Sequence, residues 1–120
     1  MKGAPMTKDT TTPIDGSEVL NALTATVGTW TGVTSADHRF DGVEFHVGRR
    51  EIGHVHAQPA GRSFADLPFP KKVRDQLVDA GRARPHHVLP ESGWVTVPVR
   101  TGADLTDLIE LFKMNLERSW

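Results

Sequence analysis

The chain has 120 residues, a formal net charge of -1 and no cysteine. That is the length of one domain, and hydrophobic residues at 38% suffice for a single core. Disulfides, thiolate metal sites and a cysteine nucleophile are excluded, and the balanced charge argues against a nucleic-acid partner.

Residues 1–14 are polar and carry no apolar period, which predicts a disordered tail before a single domain over residues 15–120. No apolar run suits a signal peptide or a membrane helix, so a soluble, cytoplasmic protein with no membrane partner is expected. A helix is predicted over residues 17–27, with Asp15 or Ser17 as cap, Leu20, Leu23 and Val27 on one face, and Gly28 as stop. A strand begins near Trp30. Asp41-Gly42 signals a turn, after which Val43, Phe45 and Val47 alternate with Glu44, His46 and Gly48. A second turn falls at residues 48–51. Strict alternation then sends Ile52, His54 and His56 one way and Gly53, Val55 and Ala57 the other, completing a hairpin over residues 41–57.

Residues 58–61 make a third turn and residues 62–67 a further strand. Pro68 and Pro70 end it, and Pro70 opens a helix carrying Val73, Leu77 and Ala80, closed at Gly81. Residues 82–90 read as a short strand or an extended connection. Val95, Val97 and Val99 share one strand face, and Pro98 marks an edge or a bulge. Thr101 to Asp104 resembles a capping box, and Leu105, Leu108, Ile109, Phe112 and Leu116 stripe a last helix over residues 103–118. The fold class is α+β, an antiparallel sheet of about four to five strands with three helices packed on it.

Four of the six histidines lie between Arg50 and Trp94. Histidine exchanges a proton near neutral pH and is the commonest metal ligand. On a strand, His54 and His56 share a face, which suits a paired acid/base site or a metal site. Asp66 precedes two prolines and either orients a histidine or caps a turn. His86 and His87 are adjacent, so an extended segment would turn only one of them toward a pocket. Glu51 in a turn and His46 on a polar face read by default as solvated, and His38 carries no pattern. Trp94 either stacks on a ligand or joins the core. Arg49, Arg50, Arg82, Arg84 and Arg100 would suit an anionic or enolate-bearing substrate, or simply a solvated surface. A Gly-rich phosphate loop, a Walker pattern, a Gly-x-Ser-x-Gly elbow and a His-Glu-x-x-His motif are all missing, which weighs against nucleotide-dependent chemistry and the commonest hydrolases.

Phe45-His46, the run from Arg50-Glu51 through His54-Val55-His56, Asp66, Arg84-Pro85-His86-His87 and Trp94 before a final long helix together resemble the luciferase-domain family. Its members include the fungal luciferases and small bacterial proteins, and the form Asp66-Leu67-Pro68-Phe69-Pro70 is the bacterial one. The fungal chains are longer and carry a hydrophobic N-terminal anchor. The resemblance implies oxidation of an enolisable hydroxypyranone such as 3-hydroxyhispidin by molecular oxygen. A peroxidic intermediate then loses carbon dioxide, and no organic cofactor is expected. On matching positions it implies His54, His56 and His87 as bases or enolate partners and Asp66 as their orienter. His86, Trp94, Arg50 and Glu51 would contact the small-molecule substrate. Two other readings stay open: a transition-metal protein using His54, His56 and His87 with Asp66 as a fourth ligand, and a module that binds a small ligand or a protein without catalysis. A homodimer is equally open.

Overall fold

The computed structural model describes residues 12–38 and 42–118. The chain begins with helix α1 (Gly16–Thr26) and a single 3-10 turn (Val27–Thr29). Four strands follow: β1 (Val33–His38), β2 (Gly42–Val47), β3 (Arg50–His56) and β4 (Ser63–Pro68). Helix α2 (Lys71–Asp79), the two-residue β5 (Arg84–Pro85), β6 (Trp94–Val99) and helix α3 (Gly102–Glu117) complete it. The fold is α+β, as the patterning requires. All six strands form one antiparallel sheet in the order β1-β2-β3-β4-β6-β5. The count exceeds the expected four to five because β5, with only two residues, leaves almost no periodic signal. No helix among the described residues is long and apolar enough to cross a membrane.

One face of the sheet is covered and the other is not. Phe45, Val55, Ala65, Leu67, Val95, Val97 and Val99 are buried on the covered face. They meet Val19 and Leu23 of α1, Leu77 of α2, and Leu108, Leu111 and Phe112 of α3. Alternation along β4 and β6 therefore leaves Phe64, Asp66, Thr96 and Pro98 on the open face. Pro98 lies on β6 beyond the reach of β5, where no ladder partner is required of its nitrogen. Thr101 caps α3 by accepting from the Asp104 amide, while Asp104 accepts from the Arg100 amide, a capping box displaced by one residue.

Of the expected tail, residues 1–11 lie outside the described residues. Pro13 and Ile14 belong to the fold: Pro13 bridges Thr101, and Ile14 is buried and donates its amide to the Arg100 carbonyl. The ordered chain thus starts before residue 15. Asp41 of the expected Asp41-Gly42 turn is outside the described residues, and Gly42 already pairs in β2.

Strict alternation fails in β3. Phe45 pairs with Gly53 but His46 pairs with Glu51, so Ile52 is the extra residue of a β-bulge. Ile52 is fully buried, not on the side of His54 and His56 as alternation implies. The bulge delivers both Ile52 and Gly53 to the helices. A Cβ on Gly53, at φ 149, would lie 2.7 Å from Phe112 and 2.9 Å from Leu67. Asn115, buried on α3, donates to the Ile52 carbonyl at 2.9 Å and holds the bulge in place.

Candidate active site

Pairing in register aligns one residue from each strand across the open face. Glu44 lies opposite His54, His54 opposite Asp66, Asp66 opposite Thr96, and Thr96 opposite Arg84. A second row runs from His38 and Gly42 through His56 and Phe64 to Pro98. Cross-strand partners stand about 5 Å apart, so polar side chains in one row must interact.

Asp66 is the hub. It is 2% exposed, yet it accepts from His54 Nε2 at 3.1 Å and from Thr96 Oγ1 at 2.7 Å. His56 and His86 stand with Nε2 at 3.7 Å from one of its oxygens, and His87 with Nδ1 at 3.9 Å from the other. Burial alone would raise its pKa. The hydrogen bonds from His54 and Thr96, with nearby imidazole charge, overcome that and hold the carboxyl below its ordinary value.

His54 lies between two carboxylates, because the bulge swings Glu51 onto this face. Its Nδ1 donates to Glu51 at 2.5 Å while its Nε2 donates to Asp66. Burial opposes the charge, but the two acceptors and their negative charge push its pKa up to about 9. At neutral pH His54 is an imidazolium with neither nitrogen free. His38 stacks on it, centroids 4.1 Å apart and planes 16° from parallel, while its Nδ1 donates to Glu44 at 2.9 Å. His46 donates to the other Glu44 oxygen at 2.5 Å. Those two bonds hold Glu44 below its ordinary pKa.

The remaining histidines differ. His56 is neutral at pH 7, pushed down by burial and by the charge on His54, and it stacks on Phe64 at 4.6 Å. His86 is also pushed down, mainly by burial. Its Nδ1 accepts from the Val88 and Leu89 amides at 3.1 and 3.0 Å, so its proton sits on Nε2, toward Asp66. His87 is 52% exposed, with Nδ1 at 3.3 Å from Thr96 Oγ1. The one Thr96 hydroxyl proton goes to Asp66, so Thr96 can only accept from His87. In its neutral form His87 then carries its proton on Nδ1 and keeps a free lone pair on Nε2.

A cavity of about 460 Å³ opens beside this chain of bonds. Thr96 and His87 line it, with Phe64 and Pro98 as apolar surface and Arg62, Arg84 and Arg100 as cations. His54, His56, His86, His87, Glu51 and Asp66 therefore converge, and Glu51, which its turn position marked as solvated, joins them through His54. Both His86 and His87 reach Asp66, against the expectation of one, because the chain bends there and stacks their rings at 4.4 Å. Trp94 stands 5.6 Å from His54 and 6.0 Å from His86, beside the cluster and off the cavity wall. Arg50 does not join: its guanidinium donates to the Asn115 carbonyl on the helix side. Pattern reading passed over Glu44, Thr96 and Phe64, although each alternates with a buried neighbour, and passed over His38, which only strand register brings to His54.

Among the described residues, two groups of three side chains are close enough to share a metal ion: His38, His54 and His56, and Asp66, His86 and His87. His87 thus groups apart from His54 and His56. In the first group both His54 nitrogens face carboxylates. In the second, His86 offers a protonated Nε2 rather than a lone pair. The present arrangement suits proton handling better than coordination.

The protein is thus an α+β sheet whose open face carries a buried aspartate ringed by imidazoles, beside a lined cavity. Residues 49–115 match the family model described as Luciferase domain, and the chain belongs to that family. No curated protein and no solved structure matches it.

Proposed function

We propose that this protein is an enzyme that deprotonates an enolisable, hydroxypyranone-like aromatic molecule in the Arg-lined cavity and exposes the enolate to molecular oxygen. The observation that carries this reading is the bond chain Asp66, Thr96, His87, which ends at the cavity wall. A general base needs a lone pair aimed at substrate and a partner that fixes its tautomer. His87 Nε2 takes the hydroxyl proton, and the imidazolium so formed is stabilised through Thr96 by Asp66. Arg84, opposite Thr96 in register, balances the enolate oxygen. The enolate carbon gives its electrons to oxygen and bonds to it, forming a peroxidic intermediate. The outer peroxide oxygen closes onto the ring carbon that bears the ester oxygen, and His87 returns its proton to the enolate so regenerated; the C–C and C–O bonds holding the ester carboxyl then break to release carbon dioxide, and the O–O bond opens to leave two carbonyl groups. His54, already protonated, holds Asp66 in place and is a positioning residue.

The test is oxygen uptake and carbon dioxide release on a panel of hydroxypyranones, comparing the wild-type chain with His87→Gln. The reading expects turnover that falls at least a hundredfold in His87→Gln with folding unchanged. Ligand binding without oxygen uptake by the wild type would instead assign the face to a non-catalytic binding module.

A second reading has one observation in its favour, the three nitrogens of His38, His54 and His56 within 4.8 Å of one another. A stoichiometric transition metal in protein purified without a histidine tag would support it, and would require His54 to give up a carboxylate.

A further inference from the structure

On the open face, β4 and β6 run side by side, and alternate residues form two successive pairs, with a third position just beyond the ladder. Asp66 lies opposite Thr96 and Phe64 opposite Pro98. One step further along each chain come Arg62 and Arg100, and both line the same cavity as Phe64, Pro98 and Thr96. The three positions change character in order: proton relay, apolar surface, cations. Four residues of strand at about 3.3 Å each put the two ends roughly 13 Å apart.

The charge in this cavity is one-sided. Three arginines and His87 line it, with no aspartate or glutamate among the lining residues, in a chain whose net charge is -1. Arg100 is partly balanced by Asp104, which accepts from its Nε at 2.9 Å. Arg62 and Arg84 are exposed and have no acidic partner among the described residues. A guanidinium offers a planar fork of donors that matches a carboxylate, and three of them on one cavity wall with no acid among the lining residues favour an anion. Arg84 sits in the row of Thr96 and is taken by the enolate. Arg62 and Arg100 lie beyond the Phe64–Pro98 pair, at the other end of the cavity from Thr96.

We infer that the substrate is an elongated aromatic acid, with its enolisable hydroxyl at His87, its ring on Phe64 and Pro98, and a carboxylate held by Arg62 and Arg100. The placing of the hydroxyl rests on the proposed function; the selection for a distal carboxylate rests on the cavity alone.

The probes are 4-hydroxycinnamate and 4-hydroxycinnamamide, equal in length and shape and different only in the terminal charge. Equilibrium binding at low salt should favour the acid by at least tenfold. Arg62→Gln should erase that preference while leaving the amide's affinity unchanged, and Arg62→Lys should retain part of it. Raising the salt should weaken the acid alone. Equal affinity for acid and amide, or a preference that survives Arg62→Gln, overturns the inference. The two proposals fail separately. A carboxylate preference with no oxygen uptake on hydroxypyranones that carry a carboxylate would sink the oxygenase reading only. Oxygen uptake on neutral hydroxypyranones with no carboxylate preference would sink this one only.

Discussion

A single imidazole, that of His54, shows how the site sets protonation by neighbours. In the unfolded chain its pKa returns to 6.5, and in the fold it rises to about 9. A raised pKa stabilises the fold below the unfolded value, and the benefit fades as pH climbs through the folded one. Unfolding free energy should therefore fall on the order of 3 kcal/mol between pH 6.5 and 9, as about 1.4 kcal/mol per unit implies. His54→Gln should remove that slope, and urea unfolding at both pH values measures it. Asp66 works in the opposite sense: its pKa is lowered, so its contribution is present above the ordinary carboxylate range and is lost in acid. Thr96 links the hub to His87 through one hydroxyl. Thr96→Val should cut kcat roughly ten- to a hundredfold by freeing the His87 tautomer, with KM little changed, and Thr96→Ser should restore it. A Thr96→Val enzyme with normal kcat would remove Thr96 from the relay.

Strand β3 governs which side chains reach that site. Its bulge turns Ile52 inward and Glu51 outward, and Glu51 gains His54 as a partner. Gly53 permits the turn because nothing larger fits against Phe112 and Leu67. Gly53→Ala should cost roughly 2–4 kcal/mol in urea unfolding, through backbone strain and overpacking together. Asn115→Leu keeps the branched shape of the α3 side chain with a little more volume, but leaves the buried Ile52 carbonyl without its donor, at a cost of about 1–3 kcal/mol. An unchanged midpoint in either variant would mean that the bulge tolerates what the packing forbids. Here the limit of sequence reading is physical. Period-two patterning located β2, β3, β4 and β6, and the apolar stripe located α3. A bulge is a shift of one residue in pairing, and nothing local to Ile52 marks it. Asn115 escaped for a similar reason, since its partner is 63 residues away.

Across the whole molecule, the sheet divides the labour. Helices cover one face and form the core, and the other face gathers histidines, acids and arginines from five of the six strands and the segments beside them, with β6 adding Thr96. The convergence of His54, His56 and Asp66 could be read from residue type and spacing, but the arrival of both His86 and His87 could not, since an extended segment would turn only one of them inward. The inclusion of His38, Glu44, Thr96 and Arg62 could not, because strand order and register decide it, and both are long-range properties. The proposed relay requires His54, His86 and His87 each to hold a defined set of protons. Nitrogen-detected NMR of the histidine rings near pH 7.5 measures those states directly. His54 should be doubly protonated, His86 neutral with its proton on Nε2, and His87, in its neutral form, should carry the proton on Nδ1. A neutral His54, or a His87 protonated on Nε2 alone, would contradict the relay and the base it supplies.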